Sequence, residues 1–148
     1  MINKRALATA VAASTLALTG VAQAEVKVGF LGGFTGGIES LTPPIFEGAQ
    51  LAVEQINEQG GILDGQTLVM PTGDTTCSDA SAASNAADRM VNSENVTAIV
   101  GALCTGATIA AANNAAIPGG VLMVSPASTA PAVSELDDND LVFRTVPS

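Results

Sequence analysis

Between residues 25 and 148 the apolar positions fall into two kinds of block. Short, mostly apolar runs at 26–31, 67–70, 98–102, 121–124 and 141–144 read as strands of a sheet covered on both faces. Between the first two, residues 46–59 carry Phe46, Ala49, Val53 and Ile56 at spacings of three and four, the single apolar stripe of an amphipathic helix, and Gly60 and Gly61 supply its stop. Asp79 is placed to cap an alanine-rich helix running through Arg89 to about Asn92, and a further helix is expected over 106–115. Strands alternating with helices of this length imply right-handed βαβ crossovers. The expected fold is therefore α/β, a three-layer Rossmann-like lobe with a mostly parallel sheet.

Two of the strand runs end abruptly in turns of small hydroxyl residues. The run from 98 leads to Cys104, Thr105, Gly106 and Thr108, and the run from 121 to Ser125, Ala127, Ser128 and Thr129. Both turns are expected at the carboxyl edge of one sheet, where open α/β sheets bind ligands. Hydroxyls and backbone N–H groups without a strong acid or base suit holding a small polar molecule rather than transforming it. A glycine cluster from Gly29 to Gly37 follows the first strand, but it has neither glycines at positions one, three and six nor a Gly-Lys-Ser/Thr sequence. Close backbone approach at a cleft explains it better than a bound nucleotide, and no cofactor is expected.

The N-terminus sets the compartment. Lys4 and Arg5 precede an alanine-rich apolar stretch, and Ala22-Gln-Ala24 has the small-x-small form of a cleavage site, so residues 1–24 read as a secretory signal peptide and the remainder as exported into an oxidising compartment. Cleavage leaves 14 acidic against three basic residues, a net charge of −11, which argues against nucleic acid or anionic lipid as partners. With four Phe, no Trp and no Tyr, stacking platforms for bases are also scarce. Cys77 and Cys104 both follow strand ends in an oxidising compartment, which favours a disulfide between them; the competing reading, Cys104 as a nucleophile, lacks any histidine to serve as its base. Ser125 is a hydroxyl nucleophile under the same objection, so an enzyme is not expected. Two cysteines fall short of a tetrahedral metal site, and the acidic residues 137–140 lack the alternate spacing of a calcium loop and read as a solvated turn.

An ordered set of segments then becomes specific. Gly32-Gly-Phe-Thr-Gly36, Gly48-Ala-Gln-Leu-Ala-Val-Glu-Gln-Ile-Asn57 ending in Gly60-Gly-Ile62, Asp74-Thr-Thr-Cys77, Val100-Gly101 before Cys104, and Ser125-Pro-Ala-Ser-Thr-Ala-Pro131 occur together. In this set the chain resembles the N-terminal part of type I periplasmic binding proteins of the branched-chain amino-acid (leucine/isoleucine/valine) ABC transporter family. The resemblance implies two lobes closing on an amino acid or similar zwitterion, delivery to an inner-membrane ABC permease, and a monomer. Residues 25–148 would be the N-terminal ligand-binding lobe, with the hinge and second lobe beyond. It implies that Thr105 takes the ligand carboxylate, that the Ala127 carbonyl accepts from the α-ammonium, and that Thr129 serves both, with Gly106 and Ser128 as neighbours. Leu41 falls where leucine-binding members place a Tyr, and is either a pocket wall or a loop residue packed on the core; Thr42-Pro-Pro44 stands where a polar turn is more typical. A ligand-sensing module of a receptor or regulator on the same fold is the alternative.

Overall fold

The computed structural model describes residues 25–148, so the signal-peptide reading of 1–24 lies outside the described residues. Strand β1 spans Glu25–Gly32, β2 Thr67–Val69, β3 Thr72–Asp74, β4 Ala98–Gly101, β5 Leu122–Ser125 and β6 Val142–Arg144. All strand pairings are parallel, in the order β2-β1-β4-β5-β6, with β3 also on β1. The run that the pattern begins at Thr67 is one strand broken in two. Pro71 has no N–H for the ladder, yet its carbonyl still accepts from the Phe30 N–H at 2.8 Å, and pairing to β1 resumes with Phe30 opposite Thr72.

Because β2 and β3 lie on one side of β1 and β4 on the other, chain direction across the sheet reverses between β1 and β4. That is the topological switch point of a doubly wound sheet.

Helix α1 runs Thr42–Glu58, four residues longer at its start than the apolar stripe suggests. The Thr42-Pro-Pro44 segment, which stands where a polar turn is more typical, is its first turn, because proline fits where a helix N–H has no acceptor anyway. The buried Thr42 hydroxyl donates to the Gly33 carbonyl at 2.7 Å and fixes that start against β1. Helix α2, Ala80–Asp88, opens on Asp79, whose carboxylate accepts from the N–H groups of Ser81 and Ala82. It widens through Arg89–Glu94 and ends at Asn95 with φ of 56°. Helix α3, Thr105–Ala111, likewise widens over Ala112–Ala116 and closes in Ile117–Gly119, past its expected end.

The strand register sorts the faces. Leu31, Ile99, Met123 and Val142 lie on one face, buried against Ala83, Ala87 and Met90 of α2 and its extension and against Ala107, Ala111, Ala112 and Ala115 of α3 and its extension. Alanines on both helices let the two pack closely on each other and on the sheet. On the opposite face Phe30 is fully buried beneath α1, its ring 5.0 Å from that of Phe46. The acidic segment before β6 is a turn closed by its own carboxylate, with Asp138 accepting from the N–H groups of Asp140 and Val142.

Candidate functional site

Four loops meet at the carboxyl edge of the sheet, following β1, β3, β4 and β5, and a continuous set of ties links them. Cys77 and Cys104 form a disulfide with Cα atoms 5.4 Å apart, joining the loop after β3 to the residue before α3. On one side of that bridge the Asp74 carboxylate accepts from the N–H groups of Phe34 (3.0 Å), Thr35 (3.3 Å) and Thr76 (2.9 Å) and from the Thr35 hydroxyl. Gly36 has φ of +88°, and a Cβ there would stand 2.6 Å from the Thr76 carbonyl oxygen, so the close approach of these two loops requires glycine.

Partial burial alone would raise the Asp74 pKa, but the Thr35 hydroxyl and the N–H groups of Thr76, Thr35 and Phe34 outweigh it and hold the carboxyl below its ordinary 3.8. A carboxyl with a depressed folded-state pKa contributes stability that is present above its unfolded value and lost as pH falls through the folded one. Acid unfolding followed below pH 3.8 should therefore show a component that Asp74→Asn removes. Identical acid profiles for the two proteins would refute it.

On the other side of the bridge, α3 begins at Thr105 with no side chain capping its N-terminus. The first-turn N–H groups of such a helix have no intrahelical acceptor and are free for an outside anion. Thr105 is half-buried and its hydroxyl accepts from the Ala130 N–H at 3.4 Å, which brings it to the turn carrying Ala127 and Thr129. Gly106 is exposed, Ala127 half-buried and Thr129 exposed. The Arg144 guanidinium donates to the Ala130 carbonyl at 2.9 Å and the Ser128 carbonyl at 3.5 Å, whereas the Ala127 carbonyl is left without a partner among the described residues.

Beneath the turn lies a buried hydroxyl network that the strand-and-turn pattern does not reveal. The Ala102 carbonyl accepts from the hydroxyls of Ser125 (2.6 Å), Thr108 (3.0 Å) and Ser128 (3.4 Å). The Ser125 hydroxyl in turn accepts from the Ser128 N–H at 3.0 Å, and the Ser128 and Thr108 hydroxyls are 2.7 Å apart. All three side chains are fully buried. Ser128 thus supports the turn from below, while its neighbours Ala127 and Thr129 are accessible. Only Ser125, a hydroxyl residue ending an apolar strand, carries a signal of this in the sequence, since when buried it must find a partner nearby.

Leu41 is 61% exposed at the start of α1, so it is not packed on the core. The same loop carries an open cavity of about 560 Å³ lined by Phe34, Gly36, Gly37, Glu39, Ser40 and Pro43, and Leu41, though adjacent to Ser40 in the chain, is not among its lining residues.

Residues 25–148 match the family model described as periplasmic binding protein. An amino acid binding protein of Pseudomonas aeruginosa is 33% identical over 91% of this chain and 35% of its own length, and a Leu/Ile/Val-binding protein of Citrobacter freundii is 32% identical over 97% and 38%. In the crystal, the branched-chain amino acid transporter substrate binding protein LivJ of Streptococcus pneumoniae, in complex with isoleucine, superposes with a TM-score of 0.76 at 31% identity, over 84% of this chain and 34% of that one. This chain spans about a third of the length of these relatives. The parallel sheet, its switch point and the match across all described residues agree: the chain belongs to the periplasmic binding protein family.

Proposed function

We propose that residues 25–148 are the N-terminal ligand-binding lobe of an extracytoplasmic solute-binding protein serving an inner-membrane ABC importer of amino acids, of branched-chain type or related small polar solutes. Residues 1–24 are its cleaved signal peptide, a second lobe follows residue 148, and the protein works as a periplasmic monomer without catalysis. The relatives' names and the share of their length that this chain spans support the reading. One observation carries it: the uncapped start of α3 at Thr105 and the accessible turn at Ala127 and Thr129 are joined by a hydrogen bond at the carboxyl edge of the sheet.

In this reading the α-carboxylate lies at the start of α3, where N–H donors and the helix dipole favour an anion. The Thr105 hydroxyl and N–H are its nearest donors, and Thr129 supplies an N–H from across the turn. The α-ammonium donates to the unpartnered Ala127 carbonyl and to the Thr129 hydroxyl. A hydrogen bond to a charged group contributes about 1.5–3 kcal/mol, so loss of one costs roughly 10–100-fold in affinity.

Calorimetric titration of the full-length protein with L-leucine and L-isoleucine tests this. Thr129→Ala is expected to weaken the tighter of the two by about that factor with the melting temperature of the free protein unchanged, and Thr105→Ala to weaken it at least as much, with a small loss of stability because the Ala130 N–H loses its acceptor. Wild-type affinity in both variants would remove these residues from the site.

A further inference from the structure

The geometry points to Glu39 as the residue that selects the ligand's side chain, and to an α-amino acid with a cationic side chain, a guanidinium or an ammonium, as what it selects. This rests on the proposed function and concerns the part of the site next to the zwitterion grip.

The cavity lined by Phe34 and Glu39 belongs to the loop after β1, at the same sheet edge as Thr105 and Thr129. Its loop is fastened to the disulfide turn through Asp74 and through the Gly36–Thr76 approach, and the disulfide fastens that turn to the residue before Thr105. A volume of about 560 Å³ is in the range of small-molecule pockets. Two of its lining groups recognise cations. The Glu39 carboxylate makes no hydrogen bond or ion pair among the described residues. Phe34 supplies an aromatic ring, held edge-on by Phe46 with centroids 5.4 Å apart and by Phe30 at 6.0 Å.

Glu39 is exposed at the open rim of the cavity, so a leucine side chain there would gain nothing from the carboxylate. A guanidinium or ammonium would make a charge-assisted hydrogen bond to Glu39 and a cation–π contact with Phe34. The start of α1 also borders the cavity, and its dipole, roughly half an elementary charge, opposes a cation. Glu39 carries a whole charge of the favourable sign. Pro43 and Pro44 have no N–H, and that of Thr42 donates to the Ile38 carbonyl, so this helix start has few donors with which to attract an anion instead. A surface with 14 acidic and three basic residues after residue 24 further favours the approach of cations.

Calorimetry on the full-length protein with L-arginine, L-lysine and L-leucine decides it. L-Arginine or L-lysine is expected to bind at least about tenfold more tightly than L-leucine, and Glu39→Ala to lower that ratio about tenfold. Glu39→Gln, which keeps the shape and removes the charge, should do the same, and Glu39→Asp should retain most of the preference. Tightest binding of L-leucine, with a ratio that Glu39→Ala and Glu39→Gln leave unmoved, overturns this inference and leaves the proposed function standing. Absence of binding by all three overturns this inference too, and the L-isoleucine titration then decides the proposed function separately.

Discussion

Replacing Cys77 and Cys104 together by serine is expected to destabilise the protein by about 3.5 kcal/mol. The bridge closes a segment with a sequence separation of 27, and opening it returns loop-closure entropy to the unfolded chain. For a lobe of this size that corresponds to a fall in melting temperature of roughly 10–20 °C. The native arrangement adds a second consequence. The bridge is the covalent tie between the loop after β3, which Asp74 connects to the loop after β1, and the residue that begins α3. Without it the residues around the cavity and those at Thr105 are joined only non-covalently, through the sheet and through the packing of α2 on α3. Ligand affinity should therefore fall along with stability, whereas a bridge that only stabilised would leave affinity intact at temperatures well below unfolding. Chemical denaturation of oxidised protein, reduced protein and the double variant, each paired with ligand titration without denaturant well below its own melting temperature, separates the two effects. A stability loss under about 1 kcal/mol would show that the closed loop retains its order when cut loose, against the entropic account.

Much of this was legible in the residues because each element has a local cause. The alternation of apolar runs with 3.6-period stripes is what a parallel sheet covered on both faces demands, and Asp79 caps α2 as its position implies. The boundaries that moved did so where local chemistry competes with pattern. Pro43 and Pro44 signal a break in a helix interior and a beginning in a first turn, and only the burial of Thr42 against Gly33 selects the second. Pro71 splits the second strand without ending it, because the β1 N–H it faces needs only the carbonyl. The hydroxyl turns read as a binding edge from sequence, yet their division of labour did not. Ser125, Thr108 and Ser128 turn inward to the Ala102 carbonyl, whereas Thr105 and Thr129 stay accessible, and that division follows from how α3 meets the turn after β5. The role of Asp74 was equally hidden, because its partners Phe34 and Thr35 lie 40 and 39 residues away along the chain.

A single added methyl group at Gly101 is expected to cost about 3–5 kcal/mol, a large share of the whole stability of a domain. Gly101 ends β4 directly opposite Leu31 of β1, at the switch point, with φ of +124°. A Cβ there would stand 2.3 Å from the Leu31 carbonyl oxygen and 3.0 Å from its Cβ, and Leu31 is completely buried. The obstacle is backbone of the central strand, so no side-chain rotation relieves it. Forcing alanine into this conformation costs about 1–3 kcal/mol and the overpacking a similar amount. Relief by parting β1 from β4 would carry Ala102 with it, and its carbonyl would leave the hydroxyls of Ser125, Thr108 and Ser128 that hold the turn after β5. Gly101→Ala should thus lower both the denaturation midpoint and amino-acid affinity, although residue 101 touches no ligand in the proposed site. Gly48→Ala is the control: that position lies inside α1 with nothing within 4 Å of an added Cβ, and the same substitution there should stabilise by about 0.5–1 kcal/mol. Opposite signs for one chemical change at two glycines are expected from urea denaturation. Equal and small effects would mean that β1 and β4 can separate at little cost, and that the switch point does not hold the two halves of the site in register.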